Sequence, residues 1–146
     1  MSYVPLNLKT GNYLLSSMIK IPELVKLAKE KGLDTLSIAD NNMYGVIDFY
    51  KACKNNGIKP IVGLEVLVSE LKVVLYCQNY SGYKNLIKLS TLSSERQITL
   101  DDLMEYGSDV VCIMPYVSKA LYNDLKKIYK YFHLSLFIYN APFRLI

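Results

Sequence analysis

Four polar side chains stand out against the short apolar runs of this sequence: Asn7, Asp40 and Asn41 where such runs end, and Glu65 within one. Two carboxylates and two carboxamides brought together could hold a hard divalent cation through oxygen. They would hold zinc or manganese poorly, because such sites recruit imidazoles. The sequence has a single histidine, His133, too few for a polynuclear metal centre. Alone on a late strand, it reads as a packed structural residue. Each of the four also has a plainer explanation. Asp40-Asn41-Asn42 stands directly before a helical pattern, where Asp and Asn cap free N–H groups. Asn7 can tie neighbouring strand ends together. Glu65 sits within an apolar strand, so its carboxylate must be paired or reach the end of the sheet. Lys9 is suited to salt-bridge Asp40 or Glu65 in place of a metal.

The elements that must position these residues follow from hydrophobic periodicity. Residues 3–8 alternate in the manner of a strand, with Pro5, Asn7 and Lys9 at every second position. Pro22 opens a helix, where its missing N–H costs little, and Gly32 ends it. Residues 35–39 form a short apolar strand. Residues 44–56 form a helix with the stripe Val46, Ile47, Phe49, Tyr50 and Cys53. Residues 59–68 and 71–77 are strands joined at Ser69-Glu70, a hairpin without the favoured Asn-Gly turn. Ser81 is placed to cap a helix carrying Tyr83, Leu86, Ile87 and Leu89. Thr99, with Asp101 and Asp102, opens a short one. Residues 110–114 are a buried strand, a helix begins at Ser118, and residues 133–139 are the last strand. Strands alternating with helices predict an α/β fold, mostly parallel with one hairpin. The whole chain, residues 1–146, reads as one domain forming a partial or distorted (β/α) barrel. Chemistry in such folds sits at the carboxyl ends of strands.

The bulk composition agrees with a packed domain. Of the 146 residues, 51% are hydrophobic and 21% charged, the opposite of a disordered balance. No run approaches the ~20 apolar residues that span a bilayer, and the N-terminus has no secretory pattern. A cytoplasmic protein without a membrane partner is the expectation. The net charge of +4 comes mostly from lysines on polar helix faces. That reads as solvated surface, not as a dense nucleic-acid patch. Cys53, Cys77 and Cys112 are odd in number and widely spaced, so they are expected to be reduced, mostly buried thiols.

Three stretches resemble a known family. Residues 42–53 (Asn-Met-Tyr-Gly-Val-Ile-Asp-Phe-Tyr-Lys-Ala-Cys), 57–66 and 82–90 resemble the N-terminal PHP domain (polymerase and histidinol phosphatase) of bacterial DNA polymerase III alpha subunits. They stand in family order and at family spacing. The resemblance is clear over residues 3–93 and weaker beyond, where residues 110–122 still fit a later strand and helix. It implies a barrel of PHP type. The family's His-x-His motif falls on Pro5 and Asn7, a further histidine on Lys9, and Thr-Asp-His on Ala39-Asp40-Asn41. The glutamate of Gly-x-Glu is kept as Glu65. By resemblance, then, Pro5, Asn7, Lys9, Asp40, Asn41 and Glu65 are the positions of a vestigial metal site in which two carboxylates survive and every imidazole is replaced. Pro5 cannot coordinate through its side chain, and a carboxamide oxygen is a weak donor. The expectation is no bound metal, no other cofactor, no catalytic residue and no proofreading exonuclease.

What the resemblance implies for function is a degenerate PHP module of a replicative polymerase. The parent protein would be a DNA-directed DNA polymerase, a nucleotidyltransferase. This chain would be inactive by itself and would contact the polymerase body and other replisome proteins, reaching DNA through the full-length enzyme. A stand-alone metal-dependent phosphoesterase and a PHP-derived binding adaptor are the alternatives. The chain stops at Ile146, short of a complete domain of this family, as a fragment or such an adaptor would. The apolar stretch of residues 131–139 is expected at an open sheet edge, where it could support self-association through the C-terminal strand.

Overall fold

The structure, a computed structural model, describes residues 3–13, 17–115 and 119–135. In chain order its elements are α1 (Ile21–Glu30), β1 (Thr35–Asp40), α2 (Val46–Asn55), β2 (Lys59–Val68), β3 (Leu71–Cys77), α3 (Tyr80–Glu95), α4 (Leu100–Tyr106), β4 (Val110–Pro115), α5 (Lys119–Ile128) and β5 (Phe132–Ser135). The strands form one sheet in the order β1-β2-β3-β4-β5. β1 pairs parallel with β2, and β4 with β5, while β3 is antiparallel to both its neighbours. Four strands therefore run one way and β3 runs against them. Among the described residues the sheet is open, as a partial barrel requires.

Strand alternation sorts the side chains onto two faces. Leu36 and Ile38, Leu64 and Val66, Val73 and Leu75, and Cys112 and Met114 all point to one face. There they meet Val25, Phe49, Leu86, Leu103 and Leu125, so all five helices contribute to this core. The other face carries a smaller cluster of Ala39, Val74 and Tyr76, with Ile61, Val111 and Ile113 beside it. A concavity of about 1250 Å³ opens there, lined in part by Ile61, Tyr76, Val111, Ile113 and His133. No described helix is long and apolar enough to cross a membrane.

Local chemistry sets the element ends. α1 begins at Ile21-Pro22, and Gly32, at φ +69°, donates its N–H to the Lys29 carbonyl at 3.0 Å. α4 opens on a capping box: the Thr99 hydroxyl accepts from the Asp102 N–H, and the Asp102 carboxylate accepts from the Thr99 N–H at 2.8 Å. Arg96 grips the same carboxylate with two N–H groups, each at 2.7 Å.

Several expectations need correction. Residues 3–8 are not a strand. Pro5 has no N–H to give a ladder, and Asn7 adopts φ +62°, which breaks the extended run. The segment nevertheless lies along β1: Ala39 donates to the Leu8 carbonyl at 2.8 Å, and the Ser37 hydroxyl to the Pro5 carbonyl at 2.6 Å. In α2 only Val46, Phe49 and Cys53 of the expected stripe are buried; Ile47 and Tyr50 are exposed. α3 is capped by Asn79, whose side chain accepts from the Gly82 N–H at 3.0 Å, not by Ser81. His133 is exposed, because alternation along β5 turns Phe132 to the helices and His133 to the open face. Ser118, and residues 136–139 of the expected last strand, lie outside the described residues.

The hairpin between β2 and β3 turns on Ser69 and Glu70, at φ +49° and +65°. Two left-handed residues in a two-residue loop fit a type I′ turn, which favours Asn-Gly because other side chains crowd the backbone there. The double substitution Ser69→Asn/Glu70→Gly is expected to stabilise the chain by about 1 kcal/mol, read as a Tm higher by ~2–4 °C in thermal unfolding. An unchanged or lower Tm would contradict this account of the turn.

Candidate functional site

The carboxyl end of β1 lies beside the middle of β2, with Ala39 opposite Gly63 and Asp40 opposite Leu64. Asp40, at the end of β1, is 2% exposed. One of its carboxylate oxygens accepts from the Thr10 N–H at 2.7 Å, and the other from the Thr10 hydroxyl at 2.6 Å. Thr10 is itself fully buried. Neutral donors from one residue of the N-terminal segment thus answer both oxygens.

Glu65, on β2, is 8% exposed. Its Oε2 pairs with the Lys9 ammonium at 2.8 Å. Its Oε1 accepts from the Tyr13 hydroxyl at 2.6 Å and lies 3.7 Å from the Lys72 ammonium. Lys9 also donates to the Ala39 carbonyl, and Lys72 donates to the Tyr13 hydroxyl at 3.3 Å. Both ammonium groups stand over the Tyr13 ring, 5.1 and 6.0 Å from its centroid, so the negative face of the ring adds to the carboxylate.

Burial alone would raise the Glu65 carboxyl, but hydrogen bonds from Lys9 and Tyr13 and the two ammonium charges outweigh it and hold the group below its ordinary value. Burial lowers Lys9, and the opposing pull of Glu65 offsets this only in part. Burial and the bond to Glu65 raise Tyr13. At neutral pH the site therefore holds an ionised Glu65 and a neutral Tyr13 donor.

A further tie crosses Gly63. A Cβ there would come within 2.7 Å of the Tyr76 ring. The missing side chain lets that ring lie across β2, and its hydroxyl accepts from the Asn7 N–H at 2.8 Å. The Oδ1 atom of Asn7 is buried and has no hydrogen-bond partner.

Of the residues singled out from sequence, Asn7, Lys9, Asp40 and Glu65 converge here. Lys9 reaches Glu65, not Asp40. Pro5 stays at the side, offering only its carbonyl to Ser37. Asn41 is exposed, and its Oδ1 accepts from the Asn42 side chain at 3.0 Å. The capping explanation fails for Asp40 and Asn41. It fails for Asn42 too: the N-cap of α2 is Gly45, without a side-chain cap bond, and Asn42 accepts from the Tyr44 N–H at 3.1 Å in the turn before the helix. Sequence reasoning missed Thr10, Tyr13, Lys72 and Tyr76. Lys72 was within reach: a two-residue turn at Ser69-Glu70 pairs Glu65 with Val74, which puts Lys72 diagonally across from Glu65.

The arrangement does not suit a divalent metal. Among the described residues no three His, Cys, Asp or Glu side chains gather as ligands. The oxygens of Asp40 and Glu65 already accept from Thr10, Lys9 and Tyr13. The Asn7 Oδ1 atom is left, and one neutral carboxamide oxygen is far short of the ligand number a hard cation takes.

Two outcomes are expected. Glu65 binds its proton less tightly folded than unfolded, so its contribution to stability is present above its ordinary value of 4.5 and is lost as pH falls through the folded value. Denaturant melts between about pH 5 and 3 should fall less steeply in Glu65→Gln than in the parent chain; parallel curves would contradict this. Gly63→Ala is expected to cost about 1–3 kcal/mol by overpacking against Tyr76. The loss should be smaller in a Tyr76→Ala background, which is checked by chemical denaturation of all four chains.

Comparison with known proteins came to the same place. A family model described as the PHP domain matches residues 5–135. DNA polymerase III subunit alpha of Halalkalibacterium halodurans is 38% identical over 127 residues, 80% of this chain and 11% of that protein. The Bacillus subtilis subunit is 38% identical over 126 residues, 79% of this chain and 11% of its own length. That of Staphylococcus aureus is 32% identical over 132 residues, 85% and 12% of the two chains. The chain thus spans about a tenth of these relatives. Among solved structures, a protein of Bifidobacterium adolescentis described as a metal-dependent phosphoesterase superposes with a TM-score of 0.56 at 10% identity, over 80% of this chain and 72% of that one. An amidohydrolase of Chromobacterium violaceum with bound sulfate and no metal gives 0.59 at 11%, over 85% and 72%. At those identities the likeness is one of fold.

Proposed function

The chain belongs to the PHP domain family, and on that premise we propose that it is the N-terminal PHP region of a bacterial replicative DNA polymerase III alpha subunit, kept as a non-catalytic module. In this reading its work is done in the cytoplasm during DNA replication. It contacts the polymerase body and other replisome proteins, and meets DNA only through the full-length polymerase. Nucleotidyl transfer belongs to the parent protein.

One observation carries the non-catalytic part: the chain's own donors, Thr10, Lys9 and Tyr13, already engage the oxygens of both surviving carboxylates. Metal-assisted phosphoester hydrolysis needs ions with open positions that can activate water. Here Pro5 has no donor atom in its side chain, Asn41 faces outward, and Lys9 brings positive charge to the place where a metal would need ligands. The identity to polymerase III alpha subunits over four-fifths of the chain supports the replicative assignment. The phosphoesterase reading draws only on a likeness of fold, and the donor set gives it no support.

The test is metal analysis of the chain purified without chelator, followed by assay against a phosphodiester and single-stranded DNA with added manganese. Far less than one zinc or manganese per chain and no hydrolysis are expected. Near-stoichiometric metal, or manganese-dependent cleavage abolished by Glu65→Gln, would sink the proposal.

A further inference from the structure

The enclosure of Lys9 carries the reading further. Its ammonium is bounded by the Glu65 carboxylate at 2.8 Å, by the Ala39 carbonyl and by the face of the Tyr13 ring. Its side chain is only 19% exposed. Oxygen donors and a π face closing on a positive centre are what a bound cation would find. The charges also balance without any ion: Asp40 and Glu65 against Lys9 and Lys72. Lys9 belongs to the N-terminal segment, whereas Glu65 and Ala39 belong to β2 and β1. The segment forms no strand, so side chains make many of its ties to the sheet: Thr10 to Asp40, Tyr13 to Glu65, Ser37 to the Pro5 carbonyl and Tyr76 to Asn7.

We propose that Lys9 is the resident cation of this site, a tethered ammonium that occupies the position of a metal ion and latches the N-terminal segment across the end of β1 and the middle of β2. The proposal rests on the non-catalytic reading and adds to it what fills the site and what that filling does. Lys72 assists from the rim, where its side chain is 62% exposed. A tethered cation cannot dissociate, so the latch does not depend on metal supply, and it gives the carboxylates a fixed partner.

The experiment uses the 146-residue chain. Lysine accessibility is measured first on the unaltered protein by brief reductive methylation and mass spectrometry. Lys9 should react several-fold more slowly than Lys26 and Lys29 on the exposed side of α1, and should equalise with them after denaturation. Equal rates in the folded chain would overturn the proposal. Thermal unfolding then compares Lys9→Met, Glu65→Gln and the double variant. Lys9→Met, which keeps the apolar stem and strands the carboxylate, should lower Tm by roughly 10 °C. Adding Glu65→Gln should recover much of that loss; simple addition of the two losses, or no loss in Lys9→Met, would overturn the latch. If Lys9→Met fails to fold, folding of the double variant supports the latch, whereas failure of both hands the decision to the methylation rates. These outcomes are separable from the proposed function. Reactive Lys9 without metal leaves the non-catalytic module standing, whereas stoichiometric metal overturns that module whatever the lysine does.

Discussion

A carboxylate in the middle of an apolar strand must be answered by charge, and this requirement at Glu65 organises the site. An isolated ion cannot be left in such a place, so the chain brings Lys9, Tyr13 and Lys72 to it from two different elements. Meeting that demand determines where residues 3–13 run. The same segment supplies Thr10 to Asp40 and Asn7 to Tyr76. The irregular N-terminal stretch and the sheet are therefore joined less by ladder bonds than by side chains gathered round two acids. A buried pair of this kind adds little net stability compared with an apolar replacement. What it supplies is specificity, because very few placements of the segment satisfy every group at once.

Much of this could be read in the sequence, and the gaps have physical causes. Periodicity located the helices and the strands after residue 20, because each buries one face and alternates accordingly. It failed at residues 3–8, where the alternation was real but Pro5 and the left-handed Asn7 prevent a ladder. It also assigned Ile47 and Tyr50 to the core, since hydrophobicity does not tell a buried stripe from one that borders an open concavity. The convergence of Asn7, Lys9, Asp40 and Glu65 was expected from places at strand ends, though of the four only Asp40 ends a strand. The choice between Asp40 and Glu65 as the partner of Lys9 was not, because it depends on Thr10 reaching Asp40 first. Tyr13 and Tyr76 gave no signal: a tyrosine among thirteen looks like any other until the ring lying over Gly63 shows which one is needed.

Membership of the PHP family sets these details in context. The acids stand on two adjacent parallel strands, and Gly63 lies two residues before Glu65. Here it has a reason independent of metal chemistry, since the Tyr76 ring occupies the space a side chain would need. The second face of the sheet has Ile61, Val111 and Ile113 around a broad concavity, and among the described residues the helices pack their buried faces against the first face.

The order of the strands bears on how the chain leaves the ribosome. Because spatial order follows chain order, every strand pairs with the one made just before it, and sheet assembly can keep pace with synthesis from β1 onward. The N-terminal segment is the exception. It emerges before the strands it docks on, and its partners Asp40, Glu65 and Tyr76 lie 30, 52 and 69 residues away from the atoms that bind them. Vectorial synthesis therefore delivers the segment long before its docking surface exists. The segment's ties to Ser37, Ala39 and Asp40 need only β1, but the tie from Asn7 to Tyr76 waits until β3 is complete, and closing that longest loop becomes a late step in an otherwise sequential assembly.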